Sequence, residues 1–164
     1  MISSVDTNIL LDILIPGQTF CDGSKRLLDN HISRGRLIIC EVVFAELASA
    51  FPTGQELEAF LADTGIEIVR SGRNALFFAG ARWAEYAKKD AKSRFSCGKC
   101  GHSFEIACPN CSEMFTKRLQ VMADFLIGAH ALLHADCILS RDPGVYKTWF
   151  PDLRLIGPQS LSSA

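Results

Sequence analysis

The feature that most constrains this chain is an alternation. Short apolar runs of strand length recur along it, each followed by a stretch with helical spacing. Residues 1–6, 37–40, 66–69, 137–140 and 153–156 read as strands. Residues 7–15, 24–33, 42–50, 55–62, 73–92, 121–133 and 143–149 read as helices, with stops at Pro16-Gly17 and Pro52. Strands alternating with helices along a whole chain predict an α/β fold, a parallel sheet with helices on both faces. In such sheets the ligand site lies outside the carboxyl ends of the strands. The residues that close the strands therefore matter most for function.

A hydrophobic share of 48% gives 164 residues enough material for a sizeable single-domain core, and 21% charged residues is ordinary for a globular domain. No run approaches the roughly 18 apolar residues of a membrane span. The apolar N-terminus carries Asp6 and Asp12, without a basic leading segment or a small-residue cleavage site. The expectation is a cytoplasmic protein with no membrane partner. The net charge of -1 hides an asymmetry. Between Arg82 and Arg118, eight Lys and Arg face four acids, a local +4 that leaves -5 elsewhere. A basic arm on an acidic body can bind phosphates on the arm and cations in the body. A solvated, Lys-rich helix edge has the same composition.

Four of the seven cysteines fall within 15 residues, as Cys97-Gly-Lys-Cys100 and Cys108-Pro-Asn-Cys111. Each pair can bend into a knuckle whose backbone N–H groups point at the sulfurs. Two facing knuckles give a closed tetrahedral four-thiolate zinc site, structural because no coordination position is left for a substrate. The residues between, 102–107, suffice for a narrow hairpin. Redox-active CxxC chemistry is the competing reading, and His102 is a spare ligand. The expected organisation is a main domain over residues 1–157, interrupted by a zinc ribbon at 95–115. Zn2+ would order a segment too poor in core residues to fold alone, contributing on the order of 10 kcal/mol.

Four acids fall where strands end or the following helices begin. Asp6 closes the first strand, Glu46 lies in the helix after the second, Asp124 opens the apolar helix at 121–133, and Asp142 follows the strand at 137–140. Clustered carboxylates repel one another unless cations neutralise them. An all-oxygen site suits Mg2+ or Mn2+, which can orient a phosphodiester and activate a water. Asn8 and Ser140 could donate hydrogen bonds there. Each acid also has a plainer reading: Asp6 as a helix cap, Asp124 as a helix-dipole partner, Asp142 as a cap before Pro143, Glu46 as a solvated helix residue.

At these positions the chain resembles the PIN-domain ribonucleases, in particular VapC-like toxins. The resemblance rests on Val5-Asp-Thr-Asn8, on Val42-Val-Phe-Ala-Glu-Leu47 and on Asp124-Phe-Leu-Ile-Gly-Ala-His-Ala131. It continues through Ala135-Asp-Cys-Ile-Leu-Ser-Arg-Asp142 with Gly144, Tyr146, Phe150-Pro-Asp-Leu153 and Leu155-Ile156. It covers nearly everything outside the cysteine segment. It implies a PIN-like domain with Asp6, Glu46, Asp124 and Asp142 around Mg2+ or Mn2+, and Asn8 and Ser140 in support. It further implies an endoribonuclease acting on single-stranded or looped RNA, a cognate antitoxin partner, and a homodimer as a common assembly. The cysteine segment departs from the pattern. It keeps open a ribosomal-RNA-processing PIN nuclease and a non-catalytic RNA- or protein-binding scaffold.

Other residues complete the reading. Glu41 is the nearest substitute for Glu46. Asp12 is too far along its helix, and Asp136 is at the opposite sheet edge. His130 and His134 stand four apart on one helix, a spacing that suits metal binding but also two buried histidines. Phe78, Trp83 and Tyr86 read as core, and Cys21, Cys40 and Cys137 as small buried residues.

Overall fold

Strands without a polar face need cover on both sides, and two strands here have none. Leu37, Ile38, Ile39, Cys137, Ile138 and Leu139 are all 2% exposed or less. The computed structural model describes residues 1–89, 95–96, 102–112 and 122–158. Its first half runs β1 (Ile2–Val5), α1 (Thr7–Leu14), α2 (Cys21–Ile32), β2 (Arg36–Ile39), α3 (Glu41–Leu47), a 3-10 turn (Ala48–Ala50), α4 (Gly54–Thr64) and β3 (Ile66–Ile68). Its second half runs α5 (Arg73–Lys89), β4 (Phe95–Ser96), β5 (Ser103–Phe104), α6 (Met122–His134), β6 (Cys137–Leu139), α7 (Gly144–Trp149) and β7 (Leu155–Ile156). Five of these strands form one sheet in the order β3-β2-β1-β6-β7, and every pairing is parallel. The α/β class read from the sequence is the class of the fold, and element boundaries move by a few residues at most.

The order of strands places the site. From β1 the chain winds outward to β2 and β3, then returns to build β6 and β7 on the other side. The reversal falls between β1 and β6, and a crevice opens outside the carboxyl ends of two strands that diverge in connection. The register holds those ends level, pairing Val5 with Leu139, while the Asp6 N–H donates to the Leu139 carbonyl at 3.0 Å. Helix α3 packs against both α1 and α6, which draws three helix starts towards this point.

An aromatic cluster under α6 fixes its position. Phe125 packs on Tyr86 from α5 and on Phe150 after α7, with centroids 5.5 and 6.2 Å apart. Gly128 faces the same ring: a Cβ there would lie 2.6 Å from Phe150 Cε2. At the far end of α4, Gly65 takes φ +66° and lets the chain turn into β3. Tyr86 is buried, and Phe78 and Trp83 pack partly buried against the core, as expected. Cys40 and Cys137 are buried, but Cys21 is half-exposed at the start of α2, so it is no core residue. No described helix is long and apolar enough to cross a membrane.

Within the cysteine segment, β5 pairs antiparallel with β4, matching Phe95 to Phe104 and Ser96 to Ser103. This pairing joins residues that precede the first cysteine pair to residues that follow it. Cys97 and Cys100 themselves lie outside the described residues. At the second pair, Ser112 N–H donates to the Cys108 carbonyl at 2.8 Å in a tight turn. Backbone N–H groups of Cys111 and Asn110, with the Cys111 thiol, hold the Cys108 thiol below its ordinary pKa.

Candidate active site

The end of β1 supplies the first carboxylate. Asp6 is extended (φ -80°, ψ 149°) at the junction with α1, and its side chain makes no capping bond to that helix. Instead its Oδ2 accepts from the Ser140 hydroxyl at 2.6 Å and from Asn8 Nδ2 at 2.7 Å. Ser140 follows the neighbouring strand β6, so this bond spans the switch point. Asn8 Nδ2 also lies 3.0 Å from Ser140 Oγ, and Asn8 Oδ1 accepts the Arg141 N–H at 3.2 Å. Asn8 and Ser140 therefore tie the two strand ends together while orienting Asp6.

The other three acids close round it. Glu46, on α3, accepts a short hydrogen bond from the Thr7 hydroxyl. Asp124 sits in the first turn of α6. Asp142 uses Oδ1 to accept the Gly144 N–H at 2.8 Å, while its own N–H donates to Ser140 Oγ at 3.1 Å. Asp6, Asn8, Glu46, Asp124 and Asp142 all line one open cavity of about 450 Å³, with Ser140 bonded behind Asp6. The capping role for Asp6 is thus overturned, Glu46 is no free solvated side chain, and Asp142 combines its turn with a place in the cavity.

Charge crowding is visible in the titration of this group. Asp124 is pushed up to about 6 by burial and then by the charges of Asp6, Glu46 and Asp142. Burial raises Asp6 as well, against the lowering effect of its hydrogen bond from Ser140. Two neighbours were not among the site residues expected from the sequence. Thr7 holds Glu46. Tyr146, on α7, has a buried hydroxyl beside Asp6 with no hydrogen bond of ordinary geometry. Burial and the nearby carboxylates keep that hydroxyl protonated well beyond its usual range. Their signals were adjacency to Asp6 for Thr7, and four-residue spacing from Asp142 for Tyr146.

The remaining candidates sort by geometry. Glu41 points to Ser71, accepting its backbone N–H at 3.0 Å and its hydroxyl at 3.0 Å, and does not replace Glu46. Asp136 accepts the Ile2 N–H at 2.7 Å, at the opposite sheet edge as expected. His130 and His134 stack with centroids 4.8 Å apart; His130 is fully buried, and burial lowers its pKa. Asp12 is not remote: it is buried and paired with Arg141, a residue of the cavity wall.

The donor set is chemically suited to a hard divalent cation: four carboxylates, two of them strained by burial or mutual repulsion. As they stand, no three His, Cys, Asp or Glu side chains among the described residues are grouped to hold a metal ion. Mg2+ does not demand such a preformed cage, because it keeps several waters and binds through one or two carboxylates.

Fold and site together define a parallel α/β domain with an acidic cavity at its switch point. No protein-family model matches the chain, and no curated protein matches its sequence. Solved structures do. The chain is similar to VapBC2 from Rickettsia felis, described as bound to a DNA fragment from their promoter. That match has 19% identity and a TM-score of 0.61, and it covers 97% of this chain and 100% of the other. It is also similar to VapBC-1 from nontypeable Haemophilus influenzae, at 18% identity and TM-score 0.58, covering 96% and 98%. The chain shares its parallel α/β fold with these VapBC structures.

Proposed function

We propose that this protein is a metal-dependent endoribonuclease, a VapC-like toxin neutralised by a cognate antitoxin. The observation that carries the reading is the convergence of Asp6, Glu46, Asp124 and Asp142 on one cavity at the switch point. A scaffold has no use for four acids gathered where burial, and then their mutual repulsion, raise Asp124 to about 6. Similarity to two VapBC structures supports the toxin assignment and the antitoxin partner.

Asp6, Asp124 and Asp142 would hold Mg2+ or Mn2+, with Glu46 completing the acidic wall. Such an ion supplies a polarised phosphate and a more acidic bound water. The chain's own residues do the rest. Ser140 and Asn8 keep Asp6 turned towards the cavity, since both of their hydrogen bonds fall on one of its oxygens. Thr7 restrains Glu46. The Tyr146 hydroxyl, held protonated, is a donor fixed beside Asp6. In the overall reaction phosphorus gains the oxygen of water and loses one ester oxygen of the RNA chain. Cys97, Cys100, Cys108 and Cys111 would bind one structural Zn2+ away from this chemistry.

The test is cleavage of a structured RNA by purified protein with Mn2+, beside an Asp6→Asn preparation. Cutting by the wild type alone, abolished by EDTA, is the expected result. Equal cutting by both preparations refutes the site, and intact RNA in both refutes the nuclease reading.

A further inference from the structure

Among the described residues lining the acidic cavity there is a single cation, Arg141. Its position is costly for a site that is to bind a metal, because its charge repels the ion that the carboxylates attract. It becomes useful when the cavity also receives an anion. We propose that Arg141 is a phosphate-binding residue, held at the cavity rim by the buried Asp12 so that its guanidinium takes the non-bridging oxygens of an RNA phosphate. This inference rests on the nuclease reading above and deepens it.

The tether is built from one face of α1. Asn8 and Asp12 stand four residues apart and so lie on the same side of that helix. Asn8 Oδ1 fixes the backbone of Arg141 at 3.2 Å. Asp12 Oδ1 forms an ion pair with its side chain, 3.4 Å from Nε. The Asp12 side chain is completely buried, its Oδ2 accepts the Ser24 hydroxyl at 2.6 Å, and its Oδ1 makes no hydrogen bond. A carboxylate taken out of water is strongly unfavourable unless an opposite charge accompanies it. Arg141 is its ion-pair partner among the described residues. The Phe20 ring, at the start of α2, lies 5.3 Å from the guanidinium carbon and supports it from the side.

The tether leaves the business end free. Asp12 engages Nε, and the terminal nitrogens make no hydrogen bond among the described residues. About a third of the side chain, 35%, remains exposed. A planar fork with two free nitrogens matches two phosphate oxygens, and restraint at Nε reduces the rotamer freedom lost when a ligand binds. Arg141 also stands between Ser140 and Asp142 in sequence, so the fork and the acids share one rigid strand end. A long guanidinium anchored by a fully buried aspartate is more than a surface ion pair requires.

The experiment measures binding of a short labelled single-stranded RNA in an Asp6→Asn background, and KM and kcat with Mn2+ in the native background. Arg141→Ala is expected to weaken binding roughly tenfold or more, the value of hydrogen bonds to a charged group. Arg141→Lys should recover part of it. Because Arg141→Ala strands a buried carboxylate, an Arg141→Ala/Asp12→Asn double variant removes both charges and keeps the fold. It should bind RNA as weakly as Arg141→Ala. Asp12→Asn alone should raise KM several-fold with little change in kcat, since the guanidinium stays but is no longer aimed. Native affinity in Arg141→Ala or in the double variant overturns the inference while leaving the nuclease intact. Failure of the wild type to bind or cut RNA with Mn2+ overturns the nuclease reading and this inference with it.

Discussion

Replacing Asp124 by Asn should stabilise the metal-free protein while removing its activity. The carboxyl titrates at about 6 in the fold, against 3.8 for a free side chain. The fold therefore holds this proton more tightly than the unfolded chain does. Stability is lost as pH rises from about 4 to about 6, and the loss is complete above that range. Two pKa units correspond to about 3 kcal/mol. Asp124 is only half-buried, so solvent screening reduces this, and Asn forgoes the roughly 0.5 kcal/mol of a first-turn carboxylate. A net gain of about 1 kcal/mol is expected at pH 7.5 in EDTA, or about 2–4 °C in Tm for a domain of this size. The assay is thermal unfolding of wild type and Asp124→Asn from pH 4 to 8, with EDTA or with Mn2+. The advantage of the variant should vanish near pH 4. Saturating Mn2+ should raise the wild-type Tm and leave the variant much less affected. A variant that is less stable than wild type at pH 7.5, or whose offset does not change with pH, would show that the four acids do not repel one another as described.

Gly128→Ala should destabilise the fold by about 1–3 kcal/mol, since its methyl group meets the buried Phe150 ring and overpacked cores respond on that scale. Chemical denaturation checks this, and an unchanged midpoint would mean that α6 shifts freely. Cys108→Ser should release about one bound zinc per chain, measured by metal analysis of the purified protein. Wild-type protein free of zinc would dismiss the ribbon.

The class of fold was legible because it depends on local periodicity: each strand and helix announces itself within a few residues. The acids were legible for a related reason. A parallel sheet sends every strand's carboxyl end to one edge, so Asp6, Asp142 and the helix starts that follow can be placed from order alone. What no local pattern supplies is the rotation and packing of helices. Glu41 and Glu46 share α3, yet five residues turn them about 140° apart. Only the packing of α3 on α1 and α6 gives the cavity to Glu46 and sends Glu41 to Ser71.

The same limit hid Asp12. Along the chain it recedes from the strand end, but the helix returns to the same face after four residues and meets a loop that arrives 129 positions later in the sequence. Gly128 is one small residue in an apolar helix until Phe150 is set against it. Sequence by itself determined which elements form and which carboxylates lie at the reactive edge, because periodicity and strand direction are short-range. Tertiary structure alone decided which of them face one another, and which buried charge aims Arg141, because those contacts join side chains that only packing brings into reach.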